Sequence, residues 1–158
     1  MKTLTTQDLA GLSAKAAYAP RLRAHHNLHE QLEDSIQRLA IAMEPDTYVR
    51  PHRHPGSPEL LIMLSGSLDW IEFDAAGETV VARHRLGADG ARVFEMPAGV
   101  WHAVVSLQPG SVVFEVKRGP YLPLPEADVA AWAPAEGDAR VADMLAFLRR
   151  CQPGDRFA

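Results

Sequence analysis

The stretch HRHPGSPELLIMLSG, from His52 to Gly66, decides how the chain is read. His52 and His54 stand two apart, and on an extended strand residues i and i+2 point to one face. Two imidazoles therefore converge on one point. A turn with Pro55, Gly56 and Pro58 follows, and Glu59 opens the next apolar run, so its carboxylate can reach the same point. Arg50 shares the parity of the two histidines. It is expected on their face, where a guanidinium favours a carboxylate or phosphate; a solvent-facing Arg50 is the equally simple alternative.

On either side of this stretch the pattern is one of short strands. Ile36–Met43, Thr47–His54, Glu59–Leu64, Leu68–Phe73, Thr79–Leu86, Arg92–Met96, His102–Leu107 and Ser111–Lys117 are the expected strands. Turn residues separate them: Glu44-Pro45-Asp46, Ser65-Gly66, Asp74 to Gly77, Gly87 to Gly90, Pro97-Ala98-Gly99 and Gln108-Pro109-Gly110. Closely spaced strands without interleaved helices predict an all-β barrel or sandwich. A helix is expected over residues 5–19, capped by Thr5 or Thr6 and stopped by Pro20, and another over Ala139–Arg150. The segment from Arg21 to Glu30 reads as polar and patternless, and the segment from Gly119 to Pro134 as irregular and Pro-rich. The division is residues 1–34 as an N-terminal extension, 35–118 as the barrel, and 119–158 as a C-terminal extension, all within one domain.

A third histidine, His102, follows Pro97-Ala98-Gly99 in a strand that must lie nearby for a barrel to close. Three imidazole nitrogens and one carboxylate oxygen suit one divalent transition ion: Fe, Mn, Ni, Co, Cu or Zn. The chance occurrence of one such pair is common; the joint occurrence of all four residues with these turns is not.

These residues resemble the cupin superfamily. His52 to Gly66 is similar to the first cupin motif and PAGVWH, Pro97 to His102, to the second; Ser106 stands where an asparagine is usual. The resemblance implies a jelly-roll barrel. A narrower resemblance, to the WbuC-type cupin-fold metalloproteins, rests on RLR from Arg21, HNLH from His26, DSIQRL from Asp34, TYVRPHRH from Thr47, FEVKRGPY from Phe114 and AWAPAEG from Ala131. It implies a link to bacterial polysaccharide gene clusters and leaves the reaction open.

Further candidates flank the metal set. Glu115 and Lys117 share one face of their strand and are expected either as a pair lining the site or in solvent. His84, on a face with Val80, Ala82 and Leu86, is a candidate acid or base, a satisfied core histidine being the commoner role. Tyr121 is expected to pack at the mouth, where its hydroxyl could meet a ligand. His25, His26 and His29, with Arg21 and Arg23, read as solvated or substrate-side. Trp70, Trp101 and Trp132 read as core or dimer-interface aromatics, and nothing marks Cys151 as reactive.

The functions these residues admit are a metal-dependent enzyme (an oxygenase, isomerase or hydrolase), a non-catalytic ligand-binding or sensor module, and a purely structural metal site. The ligand expected is a small polar or anionic molecule. The 158 residues carry a formal charge of −4 and one cysteine. There is thus no basic footprint for nucleic acid and no internal disulfide. No window reaches the ~18 apolar residues of a membrane span, and the early Gln7 and Asp8 do not suit a signal peptide. A cytoplasmic protein is expected, and a homodimer, since symmetric dimers are the commonest oligomers.

Overall fold

A computed structural model describes residues 1–158. Helix α1 (Thr6–Tyr18) precedes eight strands: β1 (Arg23–Asn27), β2 (Ile36–Met43), β3 (Glu59–Ser65), β4 (Ser67–Phe73), β5 (Val80–Gly87), β6 (Val93–Met96), β7 (His102–Ser106) and β8 (Ser111–Arg118). A 3₁₀ turn, Glu126–Asp128, and helix α2 (Val141–Arg150) complete the chain. The strands form two antiparallel sheets, ordered β1-β2-β8-β3-β6 and β5-β4-β7. The fold is the cupin jelly roll.

Four layers result. Between the sheets lie Met43, Leu61, Met63, Leu68, Trp70, Leu86, Met96 and Val113. On the outer face of the five-stranded sheet, Leu12 and Ala16 of α1 pack on Ala40, Ala42 and Val112. Small residues at 40 and 42 let the helix approach closely. On the outer face of the other sheet, Met144, Leu145, Phe147 and Leu148 of α2 cover Ile71, Phe73, Ala103 and Val105. This is why Leu68 to Ile71 are all buried: β4 is covered on both faces, and alternation disappears where both faces are apolar-lined. Thr5 caps α1 by accepting from the Asp8 N–H, while the Asp8 carboxylate accepts from the Thr5 N–H, a capping box.

Two expectations about strands are corrected. Residues 47–54 are extended but form no strand; only His52 makes a bridge. Pro51 has no N–H to give a ladder, and the neighbours are held elsewhere: Arg53 N–H donates to the Asp128 carbonyl at 3.0 Å and Ala130 N–H to the Pro51 carbonyl at 2.9 Å. The segment from Arg21, read as patternless, contains β1, paired with β2 from Arg23↔Met43 to Asn27↔Leu39. Its polar residues conceal it, because as an edge strand it gains only Ala24 as a core contact.

The outer end of α2 is tied to the sheet by ions. Asp69, 1% exposed, accepts from Arg83 Nε at 2.8 Å and from Arg85. Arg83 also donates to the terminal carbonyls of α2, to Leu148 at 2.9 Å and Arg149 at 3.0 Å, where a cation suits the helix dipole. Removing one partner of a buried pair leaves an uncompensated charge. Asp69→Asn is therefore expected to lower the unfolding free energy by roughly 3 kcal/mol, read as a shift in the urea midpoint. An unchanged midpoint would show that the arginines find other partners.

Candidate metal centre

The three histidines arrive from different places and meet. His52 and His54 lie on the bridge segment before β3, and His102 opens β7. His52 N–H donates to the His102 carbonyl at 3.0 Å and His102 N–H to the His52 carbonyl at 2.8 Å, which fixes the two side chains together. One ring nitrogen from each of His52, His54 and His102 falls within 4.8 Å of the others. The Gly99 N–H donates to the His54 carbonyl at 3.0 Å, so the Pro97-Ala98-Gly99 turn holds the second histidine in place. Gly99 adopts φ +84° there, in the left-handed region that favours glycine.

Backbone carbonyls select the tautomers. His52 Nδ1 lies 2.8 Å from the Arg50 carbonyl, and His102 Nδ1 lies 2.9 Å from the Val100 carbonyl. A carbonyl only accepts, so each Nδ1 carries the proton and each Nε2 presents its lone pair to the cluster. Burial pushes the His52 pKa well below its ordinary value, helped by the neighbouring His102 and His54. Burial, then Lys117, brings His54 down to about 4, and burial lowers His102. All three rings are neutral at pH 7, the state a metal ligand needs.

Glu59, the first residue of β3, is 3% exposed. Its Oε1 lies 3.2 Å from His54 Nε2 and its Oε2 3.6 Å from His102 Nε2. Donor atoms about 2.1 Å from a common ion stand about 3.0–3.4 Å apart. The three histidines have the donor chemistry of a metal set, and Glu59 stands beside two of them, His54 and His102.

The antiparallel registers bring two further charges here. Glu59 pairs with Lys117 across β3 and β8, and Leu61 with Glu115, so all four share the inner face. Lys117 Nζ sits 3.2 Å from Glu59 Oε1 and 2.8 Å from Glu115 Oε1, making a carboxylate–ammonium–carboxylate chain. Burial alone would lower the Lys117 pKa; Glu115 and Glu59 outweigh it and hold the ammonium above its ordinary range.

The remaining expected residues divide. His84 lies on the inner face of β5, its ring 5.7 Å from that of Trp70 and 5.1 Å from that of Phe94. The Trp70 ring stacks on His102 at 5.5 Å, which puts His84 one ring away from the cluster. Val80 does not share the His84 face. A register shift between Glu72 and Phe73 turns it outward into the α2 core. Arg50 does not follow the parity of His52: its Nε donates to the Ala133 carbonyl at 3.0 Å and its Nη1 stands 3.6 Å from Glu126. The absence of a regular strand removes the alternation on which that expectation rested. Tyr121 is 51% exposed, with its backbone N–H on the Leu32 carbonyl. Cys151 is buried under α2, and burial pushes its thiol up, away from the reactive range.

Two contributions were not visible in the sequence. His25 is carried by β1 opposite Ile41, on the same side as Glu115. The Pro-rich tail braces the histidine segment through Asp128, Ala130, Ala133 and Pro134, the last accepting from the Tyr48 hydroxyl at 2.8 Å. Neither leaves a periodic signal.

Residues 4–86, just over half of the chain, match the family described as Domain of unknown function (DUF6016). The chain belongs to the DUF6016 family. The match includes His52, His54 and Glu59 and ends before His102. No curated protein matches this DUF6016 member by sequence. Among solved structures it is similar to the capsular polysaccharide assembling protein CapF from Staphylococcus aureus: 16% identity, 66% of this chain and 28% of that one, TM-score 0.54. It is also similar to DMSP lyase DddQ from Ruegeria pomeroyi, with 22% identity, 85% of this chain, 62% of that one and TM-score 0.52. The TT1209 protein from Thermus thermophilus aligns over 75% of this chain and 97% of its own, with 18% identity and TM-score 0.52. At these identities the likeness concerns the fold. No helix is long and apolar enough to cross a membrane.

Neutral buried histidines make stability depend on pH. The unfolded His54 titrates near 6.5 and the folded one at about 4, so the folded form binds fewer protons between these values. This stability is complete above pH 6.5 and falls as the pH drops toward 4, by about 1.4 kcal/mol per pH unit for each such histidine. In metal-free protein, His54→Asn is expected to flatten the acid limb of the stability curve by about one proton. Urea melts at pH 6.5, 5.5 and 4.5 measure this, and parallel limbs would contradict it.

Proposed function

We propose that the protein is a metal-dependent enzyme of the cupin superfamily, with one divalent transition ion on His52, His54, Glu59 and His102. The observation that carries this reading is the meeting of His52, His54 and His102, with Nδ1–carbonyl contacts at His52 and His102 that leave both Nε2 lone pairs free for an ion. A carboxylate beside neutral imidazoles in a buried place is the donor set of a borderline ion. When bound, such an ion supplies Lewis acidity toward an oxygen of the bound molecule or toward water.

The chain's own residues supply the rest. Carbonyls of Arg50 and Val100 orient the imidazoles. Lys117 and Glu115 provide a buried proton-bearing pair against Glu59. His84, whose side chain is 43% exposed, and Glu72, 3.9 Å away, are the groups proposed to exchange a proton with water or substrate. Arg50 is left out of this machinery because the tail engages it. The molecule acted on is small and polar or anionic. A sugar-derived substrate is favoured by the WbuC-type resemblance of RLR, HNLH, DSIQRL and FEVKRGPY.

Metal analysis of protein purified without chelators tests the reading. About one equivalent of a transition metal is expected in the wild type and less than a tenth in His52→Ala/His102→Ala. Equal metal in both would contradict the site. Loaded protein incubated with sugar phosphates and small carboxylic acids is expected to convert one class. Binding without conversion under every metal tried would leave a ligand-binding module instead.

A further inference from the structure

The inner face carries a countable charge. Glu59 and Glu115 contribute one negative charge each, and Lys117, between them at 3.2 and 2.8 Å, one positive charge. A histidine ligates a metal only as the neutral imidazole, so the three histidines add no charge to the loaded site. The group therefore totals −1. The side chains of Glu59, Glu115 and Lys117 are 4%, 13% and 19% exposed, so water screens them poorly. Neighbouring charges cancel in pairs: Arg53 Nε lies 2.8 Å from Asp128, and Arg50 Nη1 3.6 Å from Glu126. Glu72 is a third exposed and faces His84.

A divalent ion on the four-residue set turns −1 into +1. A residual charge in a poorly screened place is costly and attracts one opposite charge. We propose that Glu115 and Lys117 set the charge of this site so that, with a divalent ion in place, it takes a singly charged anion, such as a monocarboxylate, in preference to a neutral molecule or a dianion. This rests on the metal reading above and narrows the ligand class within it. Lys117 is a positioning residue here: it acts through Glu59, with Glu115 cancelling part of its field.

The charge count makes opposite demands on cation and anion, which a merely structural role for Lys117 and Glu115 would not. Cobalt(II)-loaded protein at pH 7.5 can be titrated with azide, a monoanion, and followed through the visible cobalt bands. Cobalt affinity is measured separately by chelator competition. Glu115→Gln is expected to bind azide about tenfold tighter and cobalt about tenfold more weakly than wild type. Lys117→Met is expected to do the reverse, and Lys117→Arg to stay within about twofold on both counts. If Lys117→Met does not fold, Glu115→Gln decides alone, because a tighter azide complex is not a product of damage. Normal cobalt uptake with azide affinities equal across the variants would overturn this inference and leave the metal reading standing. So would both affinities falling together. Wild-type protein that takes up no cobalt would overturn the metal reading itself.

Discussion

His52 and His102 exchange two backbone hydrogen bonds, at 3.0 and 2.8 Å, and the site depends on that exchange. The segment carrying His52 and His54 has no ladder of its own, because Pro51 interrupts it. Without the bridge to His102 it would be a loop, with two imidazoles free to separate. With it, the histidine segment is clamped to the first residue of β7, and the tail secures its other edge through Asp128 and Ala130. Glu59 arrives independently, on β3, held in register by Lys117 and Met96 of the flanking strands. A cluster drawn from three parts of the chain is thus positioned by backbone contacts, which tolerate side-chain change better than packing does.

The same economy appears in the tautomers. A buried imidazole that found no carbonyl for its Nδ1 could protonate either nitrogen, and the cluster would have no defined lone pairs. The carbonyls of Arg50 and Val100, each two residues before the histidine it serves, remove that freedom at His52 and His102. Burial then keeps the rings neutral. The consequence is a fold that gives up stability in acid while keeping three imidazoles neutral at pH 7, the state in which they could hold a metal.

Much of this was legible in the sequence, for physical reasons that differ by residue. β2 through β8 could be read because turn residues punctuate them and because inner-face residues such as Leu61, Met63 and Val113 must be apolar. The meeting of His52, His54 and His102 could be expected from their residue types and turns, although the strand parity invoked for the first two does not hold in a segment that is not a strand. Arg50 could not be placed, since parity argues only within a strand and the segment is not one. Val80 could not, since a register shift in β4–β5 is a tertiary event with no local signature. β1 was concealed by its own polarity: Arg23, His25 and Asn27 face the site side, and only Ala24 meets the core. The tail was concealed because its work is done by backbone carbonyls and amides, which every residue possesses.

Whether His52, His54, Glu59 and His102 share one ion is addressed directly by anomalous diffraction from crystals grown with stoichiometric zinc. A single strong zinc peak is expected about 2.0–2.2 Å from the Nε2 atoms of all three histidines and from a Glu59 carboxylate oxygen. A zinc bound elsewhere, or one held through the Nδ1 atom of His52 or His102, would contradict the shared site.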